Sequence, residues 1–361
     1  MLKKILLIGG LLLLAAIIMG AVGIYYFKSD KMVVLNFIKN NPDKASIKLV
    51  RNDSVLAEVN SGRVMPLAST VKLIMTVEYA EQAAAGIINP DELINLNELE
   101  TFYVENSDGG AHPAWLKHIE SKIIDNKVSI RDITKGMIMF SSNANTEWLS
   151  KRLGLDNINK RLVSLEMTNH SEIYYLVSSL FVGKELFPNL KNTELEKAMR
   201  HLSIEDYINA TEIIHQKLLD DPNYKNDRGD RSMNIQKVWS DNFPASTTSE
   251  YVELLKKINS RTYFSEDAQK YLDEILEFLL ENPRNRQWLE HAGMKGGSTA
   301  FVLTKAFYAS DKKGNKTELA YFLNDLNYLE NRKIQGSMNA FELAILTDSD
   351  FRELIHTILK N

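Results

Sequence analysis

Ser69-Thr70-Val71-Lys72-Leu73-Ile74-Met75-Thr76-Val77 is the stretch on which the reading of this chain turns. It opens an apolar pattern, with Leu73, Ile74, Val77, Ala80, Ala83 and Ala84 forming a buried helical stripe and Gly86 a C-terminal stop. On that helix, Ser69 and Lys72 lie three residues apart and share a face. Ser69 then sits at a helix N-terminus, where free amides and the positive end of the dipole favour developing negative charge. A partly desolvated Lys72 can lose its proton and serve as base to the hydroxyl. The spacing alone is weak, because Ser310-Asp311-Lys312-Lys313 has it too, in a turn between two strand-like runs.

Two later segments have matching chemistry. Met137-Ile138-Met139-Phe140-Ser141-Ser142-Asn143 closes a helix that Ser129 caps, with Asp132 three residues on and Ile130, Ile133, Met137 and Phe140 turned inward. Ser141 emerges where the helix stops, able to pass a proton between Lys72 and a leaving nitrogen, while the Asn143 amide can bond a substrate carbonyl and the lysine. A polar loop after a helix is the other reading. Lys295-Gly296-Gly297-Ser298-Thr299 precedes Ala300-Phe301-Val302-Leu303. Glycines in a strand mark a bulge or a close approach by a ligand, and the Lys295 ammonium with the Ser298 and Thr299 hydroxyls suits a substrate carboxylate. A glycine bulge beside a solvated lysine is the alternative.

With these segments in this order, the chain resembles the penicillin-recognising serine hydrolases, most closely class A β-lactamases. The resemblance covers about residues 33 to 361 and implies an α+β, β-lactamase/D,D-peptidase-like fold: an antiparallel sheet flanked by helices, plus a mainly helical subdomain. Strand-like runs at Ala45 to Val50 and Val55 to Val59, a capping box Thr247-x-x-Glu250 before Tyr251 to Ile258, and a terminal helix near Ala340 to Leu359 agree with it. It implies that Ser69 is the acylated nucleophile, Lys72 its proton partner, Ser141 the proton shuttle and Asn143 a substrate-positioning group. Lys295 holds the carboxylate side, Ser298 and Thr299 assist there, and the backbone amides of Ser69 and Ser298 form the oxyanion hole.

The implied activity is acyl transfer through a Ser69 ester, with β-lactam hydrolysis first, and a D-alanyl-D-alanine peptidase of cell-wall peptides or a non-hydrolytic β-lactam sensor as alternatives. Ser142 and Gly296 stand where class A enzymes usually have Asp and Thr or Ser. The family's Glu-x-x-Leu-Asn loop, whose glutamate activates the deacylating water, has no match after Asn143; Glu172 lies in the corresponding region, with Glu185 next. Without that base, the ester persists.

Lys3 and Lys4 precede an uncharged, mostly apolar run from Ile5 to Phe27, long enough to span a bilayer. Residues 1–31 are therefore expected to be a membrane anchor, or a cleaved signal, with residues 32–361 as an extracytoplasmic catalytic domain. Cysteine is absent, which excludes a disulfide framework and a thiolate metal site. The net charge of −4, with both signs interspersed, gives no footprint for nucleic acid. The seven histidines show no metal-ligand spacing, and no cofactor is implied. Residues 183–242 read as a helical insertion: Thr193 to Leu202 and Ile204 to Leu219 are amphipathic, and Asp220 to Ser232 is a charged loop. That insertion covers the active-site edge, binds a partner, or is a solvated elaboration. The loop from Asn106 to Pro113 is expected to border the cleft, with Tyr103 or Trp115 lining it or buried.

Overall fold

The computed structural model describes residues 26–360. Nearly all of the expected anchor lies outside them; among the described residues no helix is long and apolar enough to cross a membrane. Strands β1 (Ala45–Arg51) and β2 (Ser54–Val59) come early in the chain, and β7 (Leu289–Ser298), β8 (Leu303–Asp311) and β9 (Lys316–Leu323) come late. Together they form one antiparallel sheet in the order β2-β1-β9-β8-β7, so distant chain segments meet at β1 and β9 and β7 is left as an edge. Two small ribbons, β3 (Met65–Pro66) with β6 (Ala245–Ser246) and β4 (Leu93–Asn95) with β5 (Lys127–Ser129), pin loops around the helical part.

Both faces of the sheet are covered, and the two-residue period of β9 shows how. Leu319, Tyr321 and Leu323 join an apolar cluster with Leu35, Ile38, Phe341 and Ile355 from the first and last helices. Ala320 and Phe322 point the other way, into a larger cluster with Tyr251, Leu255 and the helical part. The terminal helix expected near residues 340 to 359 is two helices, Met338–Thr347 and Ser349–Leu359. The break is at Asp348, whose side chain accepts the Phe351 N–H as an N-cap and so starts a new helix.

The Lys72–Ala84 helix forms as expected and ends in paired Schellman bonds: Ile87 N–H to Gln82 O at 2.9 Å and Gly86 N–H to Ala83 O at 3.0 Å, with Gly86 at φ +69°. Its burial is wider than an amphipathic stripe. Glu78 and Gln82 are also buried, because Gln82 donates to Glu78 and to Leu153 O while Arg161 pairs with Glu78 at 2.8 Å. The helix is thus a central rod whose polar residues are satisfied by neighbours remote in sequence. Thr247 caps the Thr248–Ser260 helix by accepting the Glu250 N–H, but the expected reciprocal half of the box is absent, since Glu250 instead accepts from Ser246 and Asn169.

Candidate active site

Ser69 lies in a single 3-10 turn, Ala68–Val71, that feeds directly into the Lys72 helix. Ala68 just before it has φ +45°, a left-handed conformation that costs a side-chain-bearing residue on the order of 1 kcal/mol. The turn is held from outside: Leu67 N–H donates to Pro244 O at 3.0 Å, and Thr304 Oγ1 of β8 donates to Leu67 O at 2.7 Å. Ser69 is half-buried and faces a cleft of about 480 Å³, with Ser141, Asn143, Gly297, Ser298 and Thr299 also on its wall.

One turn on, Lys72 is fully buried. Its Nζ donates to Ser141 O at 2.9 Å, Ser141 Oγ at 3.2 Å and Asn143 Oδ1 at 2.9 Å. Lys295, on the edge strand β7, reaches the same hydroxyl: its Nζ lies 3.0 Å from Ser141 Oγ and 2.9 Å from Gly296 O. Ser141 is aimed between the two amines by its own left-handed backbone, φ +70°, in the joint between helices Ile130–Met139 and Asn143–Leu153. Two ammonium groups around one hydroxyl oxygen repel each other. Burial pushes Lys72 down to about 7, with the Asp108 carboxylate opposing the fall, and burial together with the charges of Lys72 and Lys305 holds Lys295 well below the ordinary lysine range. A neutral amine in this pair is free to accept a proton.

Gly297 leaves room for the turn that carries Ser69. A Cβ there would stand 2.5 Å from Leu67 O, 2.5 Å from Thr304 Oγ1 and 2.6 Å from Ser69 N, so no larger residue fits without moving the backbone at the nucleophile.

The residue-family model for the beta-lactamase enzyme family matches residues 32–284. The chain belongs to that family. Its fold is similar to that of a class A beta-lactamase from Bacteroides cellulosilyticus, at 16% identity and TM-score 0.51 over 91% of this chain and 96% of that one. A beta-lactamase from Sphaerobacter thermophilus is similar at 16% identity and TM-score 0.54 over 88% and 97%. So is a mutant of PBP-A solved as an acyl-enzyme complex with penicillin G, at 14% identity and TM-score 0.50 over 87% and 95%. Among curated proteins no sequence matches.

Within this beta-lactamase fold, the residues at which the motifs depart from class A have visible duties. Ser142 does not reach the cleft; it is buried, caps the Asn143–Leu153 helix through the Asn145 N–H, and its Oγ lies 2.9 Å from His112 Nδ1. Gly296 faces Lys305 across the β7–β8 register, so the cleft passes over the strand to that buried ammonium, which is 3.4 Å from Glu342. Thr299 lines the wall, yet its Oγ1 accepts the N–H groups of Phe301 and Val302 at 3.1 Å each and so shapes the β7–β8 turn. Glu172 is exposed and is not on the cleft wall, and Glu185 is tied to Lys217 and Tyr224. Ser310 of the second Ser-x-x-Lys match is bonded to Asn259 at the far end of β8.

Sequence reasoning missed three contributors. Asp108 lines the cleft while its oxygens accept the N–H groups of Gly110, Ala111, His112 and Asn143, tying the 106–113 loop to the second motif. Its position before Gly109-Gly110 was the available signal. Thr304 and Lys305 left only strand alternation. Trp115 is buried away from the cleft with its ring tilted against His112, and half-buried Tyr103 stacks on the same imidazole. Among the described residues no cluster of three or more His, Cys, Asp or Glu is placed to hold a metal ion.

Proposed function

We propose that this protein is a serine hydrolase whose Ser69 is acylated by β-lactam rings and by D-alanyl-D-alanine-like amides of similar shape. The observation that carries the reading is Ser141 Oγ suspended between Lys72 at 3.2 Å and Lys295 at 3.0 Å, on the wall that also holds Ser69. In this reading neutral Lys72 takes the Ser69 proton as Oγ attacks the carbonyl carbon. The oxyanion forms against the Ser69 and Ser298 amides. As the amide C–N bond breaks, Ser141 delivers a proton to the nitrogen and is resupplied from the lysine pair, leaving an ester on Ser69. Asn143 orients the acyl amide, and Lys295 attracts the carboxylate on the leaving side.

Hydrolysis of that ester as in a class A β-lactamase requires a water and a base to activate it. A second reading, a D-alanyl-D-alanine peptidase or sensor that holds β-lactams for long periods, is favoured by one observation. Asp108 is the sole carboxylate on the described cleft wall, and both of its oxygens already accept backbone N–H groups. Reaction of residues 32–361 with a fluorescent penicillin separates the readings. A label that turns over within seconds supports the lactamase, a label that persists supports the second reading, and undiminished labelling of Ser69→Ala overturns both. Residence of the catalytic domain outside the membrane, held by the Ile5–Phe27 run, belongs to the same proposal. Protease digestion of intact cells tests it, and full protection of the domain would refute it.

A further inference from the structure

Ser107 and Trp239 line both the cleft and a second chamber of about 390 Å³, so the two cavities adjoin at these residues. The chamber is built largely from the 183–242 segment. Leu180, Met199 and Ile235 provide an apolar lining, and Gly183 lets the layers close, since a Cβ there would lie 3.0 Å from Met199 Sδ.

The charged lining is unbalanced. Lys184 is spent on Tyr224 O and Asp227 O, and the Asp230 carboxylate is spent capping the N–H groups of Asn192 and Ser232. Arg228 and Arg231 remain. Neither makes a salt bridge among the described residues, and Arg228 has one hydrogen bond, to Glu105 O at 2.7 Å. Partial burial and the nearby Arg231 charge hold the Arg228 guanidinium below its ordinary value, against the pull of Glu105. Two guanidiniums that form no salt bridge among the described residues, over an apolar lining, suit a carboxylate at the end of a flexible chain.

The direction of a bound substrate leads there. β7 runs from Lys295, on the side of the leaving group, to its end at Ser298, and the turn beyond it meets the helix that carries Trp239 through Lys237, 5.8 Å from the Phe301 ring. An amide laid along β7 with its carboxylate at Lys295 therefore points its acyl side at Trp239. Resting on the acyl-transfer reading above, we propose that the second chamber receives the far end of the acyl side of the substrate, a peptide-like arm ending in a carboxylate, with Arg228 and Arg231 as its counter-charges.

Two penicillins differing only at the end of the arm, N-glutaryl and N-pentanoyl, test this on the intact protein. The glutaryl compound is expected to acylate Ser69 about tenfold faster, an advantage that shrinks with salt and falls to about one in the Arg228→Gln/Arg231→Gln variant. A wild-type ratio near one, or an unaltered ratio in the variant, overturns the proposal. Equilibrium binding of N-glutaryl- and N-pentanoyl-D-alanyl-D-alanine to Ser69→Ala decides the matter without catalysis. If neither penicillin labels the protein, the acyl-transfer reading fails, and an arginine-dependent preference for the glutaryl peptide still supports the chamber while equal binding refutes it.

Discussion

Lowering the pH through neutrality is expected to switch off acylation of Ser69, and Asp108→Asn is expected to move that switch to lower pH. Lys72 is held at about 7 by burial, so it is about one-tenth neutral at about pH 6 and about nine-tenths neutral at about pH 8. An ordinary lysine near 10.5 would be neutral in only about 0.03% of molecules at about pH 7, so burial raises the population of usable base on the order of a thousandfold. The sign is that of a general base: the deprotonated form reacts, so the rate rises with pH to a plateau above the lysine pKa. The Asp108 carboxylate opposes the effect of burial, and removing its charge lets Lys72 fall further. Asparagine retains an oxygen for the loop amides that Asp108 now holds. Stopped-flow acylation by a reporter penicillin, followed from about pH 5 to about pH 9, measures the midpoint in both proteins. A flat profile, or a midpoint that moves upward in Asp108→Asn, would refute the assignment of Lys72 as base.

Gly297→Ala is expected to lower the acylation rate about 100-fold, because a Cβ within 2.6 Å of Ser69 N must displace an oxyanion donor; a loss below about threefold would show that the amide is not used. Glu147 is fully buried and accepts from Val177 N–H at 2.8 Å, Ser178 N–H at 3.2 Å and Ser178 Oγ–H, with His215 Nδ1 at 3.1 Å. Glu147→Ala leaves those donors buried without an acceptor and should cost about 3 kcal/mol in urea unfolding; a loss under about 1 kcal/mol would mean that water replaces the carboxylate. Glu172→Gln should leave the lifetime of the penicillin adduct as it is in the wild type, since the side chain is exposed and off the cleft wall. A prolonged lifetime, read by loss of fluorescent label over time, would place that carboxylate in ester hydrolysis.

What could be read from the sequence was what neighbours a few residues apart decide. Ser129 capping Asp132 N–H and Gly86 ending the Lys72 helix are both local. The strand-like runs near residues 45 to 59 were legible too, but β8 and β9 are buried along nearly their whole length, and the antiparallel sheet was expected from the family resemblance. The extent of burial around Glu78 and Gln82 was hidden, because Arg161 and Leu153 O, which satisfy them, arrive from other helices. The left-handed backbones of Ala68 and Ser141 were hidden for a related reason. Neither is a glycine, and each is held by contacts that only the folded chain supplies, such as Thr304 to Leu67 O and Lys72 to Ser141 O.

The two places where the motifs differ from class A bear unequally on the chemistry. At Ser142 the exchange is confined to the scaffold: a hydroxyl caps the helix and meets His112, leaving Ser141 and Asn143 where Lys72 reaches both. At Gly296 the missing side chain opens the cleft toward Lys305, whose charge also helps to hold Lys295 low, so a substrate carboxylate settling there would be drawn by two buried amines. Binding such a carboxylate would favour the protonated form of Lys295, whose Nζ lies 3.0 Å from Ser141 Oγ. The same arrangement gives a water molecule no free carboxylate on the described wall, since the oxygens of Asp108 are already engaged by amides. On the acyl-transfer reading proposed above, acylation and release draw on different residues, and a wild-type penicillin adduct lost within seconds would show that a base from outside this wall reaches the ester.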